Sequence, residues 1–444
     1  MRTAVALVTI FVFLGTGRVD SDGIVAGRRA QAPPSRTLPA ARDPSRESRA
    51  DEEGTPQFIL VNRTPTSGGS GGRLAAVSLA GFQEVKRILP EVPGARIRVG
   101  TGHIFSYFQS QNDASLLASV RRVLELAEQT GTPVLIQLDG EQWWGARPDL
   151  WNWWDPSRPG FDPANRENVE WSGWTPGTAL KIAWRNWGRQ LRVLPPPNLM
   201  SPRYRQACHE KMALLIPVVL DWWKALPAAR KDLLVGLKVG WESSIGVNAW
   251  YYPNGNALLD KPAGEDPTSG IKGEASPARG VAPIGYAAVK TAGLRDAGEL
   301  TEEDLAQVAR RHLEDLSSEA ARLGVPRDRL FTHGAGWKEG ELLYRAAVNR
   351  FSCPGWSLYR HAADPRKDIG VQEALKESDA PCWAATEWLL PGPREIEPWR
   401  QALERTLADQ RCRYLCIYNW EGIRDSAPVL DAIRQTIAAS VPQP

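Results

Sequence analysis

Hydrophobic positions along the chain predict alternating strands and helices from residue 57 onward. Short apolar runs are typical of buried strands, whereas apolar residues spaced three and four apart are typical of amphipathic helices. Eight strand-like runs occur, at Gln57–Asn62, Ala95–His103, Pro133–Trp144, Leu233–Glu242, Arg329–Gly336, Gly355–His361, Pro381–Leu390 and Tyr414–Gly422.

Segments with helical periodicity lie between most of these runs. They cover Asp113–Gly131, Ser201–Leu226, Thr301–Gly324, Glu341–Arg350, Val371–Ser378, Glu395–Arg411 and Ser426–Ser440. Strands that alternate with helices indicate a parallel sheet. Eight strand-plus-helix units predict an α/β fold, a (β/α)₈ TIM barrel enlarged by loops.

The competing architecture is an open, doubly wound parallel sheet. Such sheets usually carry a glycine-rich phosphate-binding turn directly after their first strand. Here the first strand is followed by "TSGGSGG" (Thr66–Gly72), which lacks the G-x-G-x-x-G pattern and does not lead tightly into a helix. The closed barrel is therefore favoured.

Two long insertions interrupt the barrel pattern after its third and fourth strands. The first, residues 140–199, holds nine of the 19 tryptophans, and its segment Thr178–Val193 is typical of a β-hairpin. The second, residues 245–301, is rich in Gly, Pro and Tyr. Both follow strand ends, so we expect them on the carboxyl-terminal face where barrel active sites are built.

The N-terminal region differs from the rest of the chain. A basic start and a short apolar run, Ala4–Leu14, predict a signal peptide over residues 1–22. Residues 23–56 are rich in Pro, Arg and Ser and predict a disordered leader before a catalytic barrel at 57–444. No other long apolar run occurs, so we expect a periplasmic or secreted protein without a membrane span.

Composition narrows the function further. The net charge of +3 and the absence of a dense basic run disfavour nucleic acid as a partner. Tryptophan is unusually frequent, with 19 residues against 9 Tyr and 9 Phe, and its flat, partly polar ring suits stacking on sugars. Five widely spaced cysteines disfavour a disulfide scaffold or a structural zinc site. The oligomeric state stays open.

Polar and aromatic residues follow most of the predicted strands. In a barrel, such strand-end residues point into the site. Together with Trp143 of the first insertion, the candidates for substrate binding are His103, Asp139, Trp143, Trp241, His333, Tyr359, Trp388, Asn419, Trp420 and Glu421.

Two glutamates form the best catalytic pair. Glu242 follows the fourth strand and Glu387 the seventh, and each has a tryptophan beside it in sequence. Strands four and seven lie roughly across the mouth of a barrel from each other. Hydrolysis of a glycosidic bond needs one protonated carboxyl and one ionised carboxylate. The pair therefore predicts a glycosidase without a cofactor.

The motifs "KVGWESS", "AATEWLL" and "IYNWEG" resemble those of the retaining glycoside hydrolase clan with a (β/α)₈ barrel. The resemblance implies that Glu242 is the acid/base, that Glu387 is the nucleophile and that Trp420 closes the sugar site. It also implies a β-linked poly- or oligosaccharide substrate. One position departs from the clan, because Trp241 stands where an Asn commonly contacts the sugar 2-hydroxyl.

Two alternatives remain open. A catalytically silent carbohydrate-binding barrel would hold the two glutamates in structural ion pairs, for example with Arg98. A metal-dependent barrel hydrolase would bring His103, His333 and His361 together with Asp139. The sequence has no H-x-H or H-x-x-x-H pair, which disfavours a metal site.

Overall fold

The computed structural model describes residues 56–63, 77–109, 112–141, 143–186, 190–245, 249–266, 281–335, 341–359, 361–418 and 420–442. The predicted signal peptide and the predicted leader up to residue 55 lie outside the described residues, as does "TSGGSGG". Among the described helices, none is both long and apolar enough to cross a membrane.

The strands alternate with helices along the chain. The strands are β1 (Gln57–Arg63), β2 (Ile97–Ser106), β3 (Val134–Asp139), β4 (Ala183–Asn186), β5 (Gln190–Val193), β6 (Leu234–Ser243), β7 (Ala249–Trp250), β8 (Leu330–Gly334), β9 (Gly355–Leu358), β10 (Trp383–Trp388) and β11 (Cys412–Ile417). The helices are α1 (Leu79–Ile88), α2 (Asp113–Thr130), α3 (Pro148–Trp151), α4 (Pro202–Ala225), α5 (Tyr286–Thr291), α6 (Glu302–Arg322), α7 (Glu341–Ala346), α8 (Ile369–Glu377), α9 (Ile396–Leu407), α10 (Trp420–Ile423) and α11 (Ala427–Ala439).

Eight parallel strands close into a barrel in the order β1-β2-β3-β6-β8-β9-β10-β11, with β11 pairing back to β1. This confirms the predicted TIM barrel. Each of the eight predicted strands overlaps one barrel strand, so β6 is the fourth barrel strand and β10 the seventh.

Local sequence signals account for the positions at which the long helices begin. Ser201 caps α4 by accepting a hydrogen bond from the backbone N–H of Tyr204, and a proline follows at the first helical position. Thr301 and Asp304 form a reciprocal capping box at the start of α6. Helix α1 was missing from the sequence prediction, although Ser78 caps it in the same way.

The amino-terminal half of the barrel interior is a packed apolar layer. Phe58, Leu60, Leu135, Phe331 and Tyr414 are each fully buried there, contributed by four different strands. Burying side chains of this size contributes about 1.5–3 kcal/mol each. The layer closes the lower end of the barrel, so a ligand has to approach from the carboxyl ends of the strands.

The two insertions join in one small sheet, ordered β5-β4-β7. Strands β4 and β5 form the predicted antiparallel hairpin, and β7 of the second insertion pairs with β4. Trp184 anchors this sheet, because it is fully buried and its indole Nε1 donates to Asp266 Oδ2 at 2.7 Å. Four tryptophans of the first insertion are buried in packing and at most 6% exposed: Trp144, Trp151, Trp171 and Trp184.

Candidate active site

The end of β6 leaves regular strand geometry where Glu242 emerges. Gly240 has φ +79°, and an added Cβ would lie 2.5 Å from Ser243 Oγ. Glu242 itself has φ +47°, in the left-handed region that non-glycine residues rarely adopt. The pairing of β6 with β8 also shifts register between Val239 and Ser243. Such backbone strain persists where the surrounding structure holds it, and it concentrates at functional sites.

The structure brings Glu242 and Glu387 together at the carboxyl end of the barrel. One carboxylate oxygen of each, together with a ring nitrogen of His333, lie within 4.8 Å of one another. The two glutamates are only 6% and 7% exposed. Burial, and then the nearby charge of Glu242, raise the pKa of Glu387 to about 8. Because two buried carboxylates this close repel each other's charge, the pair retains one proton at neutral pH.

Tyr359 contacts Glu387 directly. It follows β9, and its hydroxyl donates a hydrogen bond to Glu387 Oε1. Burial raises the pKa of Tyr359 well above its usual value, so the phenol keeps the proton that it donates. A donor at this position stabilises the ionised form of Glu387.

A buried lysine that the sequence prediction missed lies below the carboxylate pair. Lys238 is fully buried on β6, and its Nζ lies 2.7 Å from His333 Nδ1. His333 Nε2 lies 2.8 Å from Ser357 Oγ, and the Ser357 hydroxyl donates to Glu242 Oε1 at 2.7 Å. The signal for Lys238 was a charged residue inside an apolar strand, since lysine is almost never buried without a partner. Ser357 offered no comparable signal.

The indole ring of Trp241 packs against this lysine. Its ring centroid lies 4.6 Å from Lys238 Nζ and 6.2 Å from the His333 ring. A cation facing an aromatic ring at this distance is stabilised by the ring quadrupole. Trp241 therefore interacts with the protein's own ammonium, at the position where the resembling clan commonly has Asn.

A second acidic group supports the loop that carries Glu242. Glu141 Oε1 accepts hydrogen bonds from Ser243 Oγ at 2.6 Å, from His312 Nε2 at 3.1 Å and from the backbone N–H of Trp241 at 3.2 Å. The backbone N–H of Glu141 in turn donates to Asp139 Oδ1 at 2.9 Å. Asp139 thus positions Glu141 through a hydrogen bond, and Glu141 is hydrogen-bonded to Trp241 and Ser243, the residues on either side of Glu242.

The insertion sheet contributes a positive charge to the same region. Arg185 of β4 is 6% exposed, and its guanidinium lies 5.9 Å from the ring centroid of Trp143. Burial lowers the pKa of Arg185 to about 10, while the charges of Asp139 and Glu242 oppose that shift. Trp143 is 38% exposed, so this predicted residue presents an aromatic surface beside the acidic groups.

Two strand residues on the candidate list point away from the barrel interior, and this corrects the prediction. His103 is fully buried against α1, where its ring stacks on Phe82 with centroids 5.3 Å apart, and its pKa falls to about 3 through burial. Trp388 is fully buried against Trp399 of α9. Adjacent strand residues face opposite sides, so Trp388 must face outward when Glu387 faces inward.

Two candidates after β11 also lie apart from the carboxylate pair. Trp420 is fully buried at the start of α10, and its Nε1 donates to Glu84 Oε2 at 3.3 Å. Glu421 forms an ion pair with Arg63 at 3.3 Å. Their side chains connect α10 to β1 and α1, a role that strand-end position alone did not reveal. Asn419 lies outside the described residues.

The histidines do not assemble the metal site considered from the sequence. His361 lies 4.0 Å from Asp368 Oδ2 and is 34% exposed, while His103 faces α1. Within the described part of the chain, Glu242, His333 and Glu387 form the one group whose donor atoms are close enough to hold a cation. Both ring nitrogens of His333 are already hydrogen-bonded, and Lys238 supplies a positive charge there. Neither ring nitrogen of His333 is therefore left over for a metal ion.

Comparison with known proteins gives only distant structural likenesses. No protein-family model matches the sequence, and no curated protein matches it. A GH5-4 broad specificity endoglucanase from an uncultured bacterium is 10% identical, with TM-score 0.42 over 86% of this chain and 94% of its own.

Two further solved structures match to a similar degree. A GH26 β-mannanase from Bacteroides ovatus is 12% identical, with TM-score 0.40 over 88% of this chain and 90% of its own. PbGH5A, a glycoside hydrolase family 5 enzyme from Prevotella bryantii, is 10% identical, with TM-score 0.41 over 86% of this chain and 96% of its own. Likenesses with TM-scores below 0.5 carry no argument, so the fold rests on the strand pairing and the function has to be argued from the site.

Proposed function

We propose that the protein is a retaining glycoside hydrolase that cleaves a β-linked poly- or oligosaccharide. The observation that carries the proposal is the pair of buried glutamates at the ends of the fourth and seventh barrel strands, with carboxylate oxygens within 4.8 Å. Retaining enzymes have carboxyl groups about 5–5.5 Å apart, whereas inverting enzymes need about 6.5–9.5 Å to admit a water molecule. The close spacing supports retention.

In the first step, the one proton that the pair retains resides on Glu242, which acts as the acid, and the ionised Glu387 acts as the nucleophile. A Glu387 carboxylate oxygen forms a bond to the anomeric carbon, and the glycosidic C–O bond breaks with its electron pair passing to the leaving oxygen. Glu242 gives that oxygen its proton. The hydrogen bond from Tyr359 stabilises Glu387 while it is ionised.

In the second step, Glu242 acts as the base. Its carboxylate takes a proton from water, the water oxygen attacks the anomeric carbon, and the bond to Glu387 breaks. Glu242 then carries a proton again, and two displacements leave the anomeric configuration unchanged. Trp143, with its exposed ring beside Arg185, is the aromatic surface that we assign to sugar stacking.

The silent-barrel alternative requires a base locked onto one of the glutamates. Arg98 instead lies 3.9 Å from Glu91, so this arginine does not neutralise either carboxylate. His333 Nε2 lies 3.9 Å from Glu387 Oε2, but burial and the Lys238 ammonium hold the pKa of His333 well below its usual value, so the ring stays uncharged. The hydroxyl donors Tyr359 and Ser357 that contact the pair are compatible with turnover.

The test is a screen of the purified protein against a panel of β-linked polysaccharides, with the anomeric configuration of the first-formed products read by ¹H NMR. We expect β products from one class of β-glycan. Glu387→Ala should abolish turnover, while Glu421→Ala, a glutamate paired with Arg63, should retain it. Products of α configuration would overturn retention, and no hydrolysis of any substrate would favour the silent barrel.

We also propose that the protein is exported, on the strength of the apolar run at Ala4–Leu14 alone. Expression in a bacterial host followed by N-terminal sequencing of the mature protein tests this. Cleavage near residue 22 is expected, and a retained N-terminus in the cytoplasm would contradict it.

A further inference from the structure

A continuous chain of hydrogen bonds runs from the buried Lys238 to the carboxylate of Glu242. Its links are Lys238 Nζ to His333 Nδ1 at 2.7 Å, His333 Nε2 to Ser357 Oγ at 2.8 Å, and Ser357 Oγ to Glu242 Oε1 at 2.7 Å. Lys238, His333 and Ser357 are all fully buried, and Glu242 is 6% exposed. Water therefore does not compete for the hydrogen bonds that link these side chains.

When Lys238 is charged, the donors and acceptors of the chain allow only one arrangement of its protons. An ammonium group only donates, so His333 Nδ1 has to accept and the histidine proton has to reside on Nε2. Nε2–H then donates to Ser357 Oγ, whose own proton points to Glu242 Oε1. All three bonds are thus oriented in one direction, away from the ammonium and toward the carboxylate.

We propose that Lys238 is a positioning residue for catalysis, acting through His333 and Ser357 on Glu242. The proposal rests on the proposed function for the role of Glu242 as acid/base. Because Oε1 always receives the Ser357 proton, the catalytic proton of Glu242 resides on Oε2. The relay thereby selects the oxygen that faces the leaving group and keeps the carboxyl from rotating.

The charges around Lys238 support this role. The acidic groups that face the ammonium are Glu387, Asp139 and Glu242, together with the Cys416 thiol. Burial lowers the pKa of Lys238 to about 8, and these groups oppose the shift. Burial, and then the ammonium, hold the pKa of His333 well below its usual value. A neutral His333 next to a charged Lys238 is the state that the hydrogen-bond directions require.

The relay also explains the tryptophan before Glu242. The ring centroid of Trp241 lies 4.6 Å from the ammonium nitrogen of Lys238, so the ring packs against the ammonium. An Asn there would offer the ammonium no aromatic ring. The departure from the resembling clan at position 241 is therefore coupled to the lysine at position 238.

Long-range ¹H–¹⁵N NMR of protein labelled with [¹⁵N]histidine tests the relay without any substrate. His333, assigned through His333→Gln, should be the neutral Nε2–H tautomer from pH 5 to 7.5. Lys238→Met should allow His333 to titrate or exchange tautomers, while Lys376→Met, at an exposed lysine on α8, should not. A wild-type His333 that is protonated on Nδ1 at pH 7 would overturn the proposal.

The kinetic arm uses the β-glycan identified in the polysaccharide screen. Ser357→Ala should lower kcat about tenfold with little change in KM and should shift the pH profile, because Glu242 loses its fixed donor. An unchanged pH profile would overturn the relay even if the enzyme is active. Absence of wild-type hydrolysis would instead refute the proposed function and leave the tautomer result standing. Ser357→Ala also serves if Lys238→Met fails to fold.

Discussion

The two ends of the barrel interior are built from the same strands but have opposite chemistry. At the amino-terminal end, Phe58 and Phe331 fill the interior with apolar rings. At the carboxyl-terminal end, Lys238, His333 and Glu387 fill it with ionisable groups. Strand β8 contributes to both, since Phe331 and His333 are two residues apart on one face. The comparison teaches that the apolar layer at the amino-terminal end stabilises the fold, whereas burial of ionisable groups at the carboxyl-terminal end costs part of that stability.

The largest expected effect is on activity, at the carboxyl-terminal end. Glu387→Gln should lower kcat by at least about 10⁴-fold, because it removes the proposed nucleophile. It should not lower the free energy of unfolding, since it replaces a buried acid that is repelled by Glu242. Steady-state kinetics and urea unfolding measure the two quantities on one preparation. A destabilised variant would show that Glu387 is structural.

The opposite outcome is expected at the amino-terminal end. Phe331→Ala should lower the free energy of unfolding by about 3–5 kcal/mol, because it leaves a cavity in the apolar layer. At a temperature where the variant is folded, kcat per folded molecule should stay within a factor of about two of the wild type. Phe161→Ala, at a site that is 40% exposed, is the matched control and should be near neutral. A loss of kcat in folded Phe331→Ala would show that the apolar layer also affects activity, which contradicts the contrast between the two ends.

The pH dependence of stability separates the two layers further. Glu387 has its pKa raised to about 8 from 4.5. The folded state therefore binds more protons than the unfolded state between these values, and stability falls as pH rises through this window. Glu387→Gln should exceed the wild type in unfolding free energy by about 1–3 kcal/mol at pH 9, and by less at pH 5. Phe331→Ala should show the same pH slope as the wild type.

The smallest expected effect concerns two thiols at the amino-terminal end. The Sγ atoms of Cys353 and Cys382 lie 3.1 Å apart, although their sequence spacing did not indicate a pair. Glutathione disulfide should oxidise them to one disulfide while it is reduced to two glutathione thiols, and free thiols should fall from five to three. The melting temperature should rise by a few degrees with kcat unchanged. The control variant Cys382→Ser should keep all four of its thiols under the same conditions. Loss of kcat on oxidation of the wild type would contradict the claim that the amino-terminal end does not affect activity.

Sequence periodicity was sufficient to predict the fold and to predict that Glu242 and Glu387 lie close together. Apolar runs and capped helices repeat locally, so they predict the eight units without knowledge of distant contacts. Glu242 and Glu387 could be found because each directly follows an apolar run in a parallel barrel, where strand ends share one face. Local pattern did not settle which face a strand-end side chain occupies, and His103 and Trp388 were misplaced for that reason.

Only the tertiary structure decided how the site is supported. Lys238 and His333 are 95 positions apart in sequence, and Ser357 and Glu242 are 115 apart. Their contacts depend on strand register and barrel closure, which no local pattern encodes. The same holds for Arg185, which reaches the acidic groups through a sheet assembled from two insertions. The sequence determined which strands would carry the carboxylates, and the closing of the barrel decided which groups surround them, because hydrogen bonds form across strands that are remote in the chain.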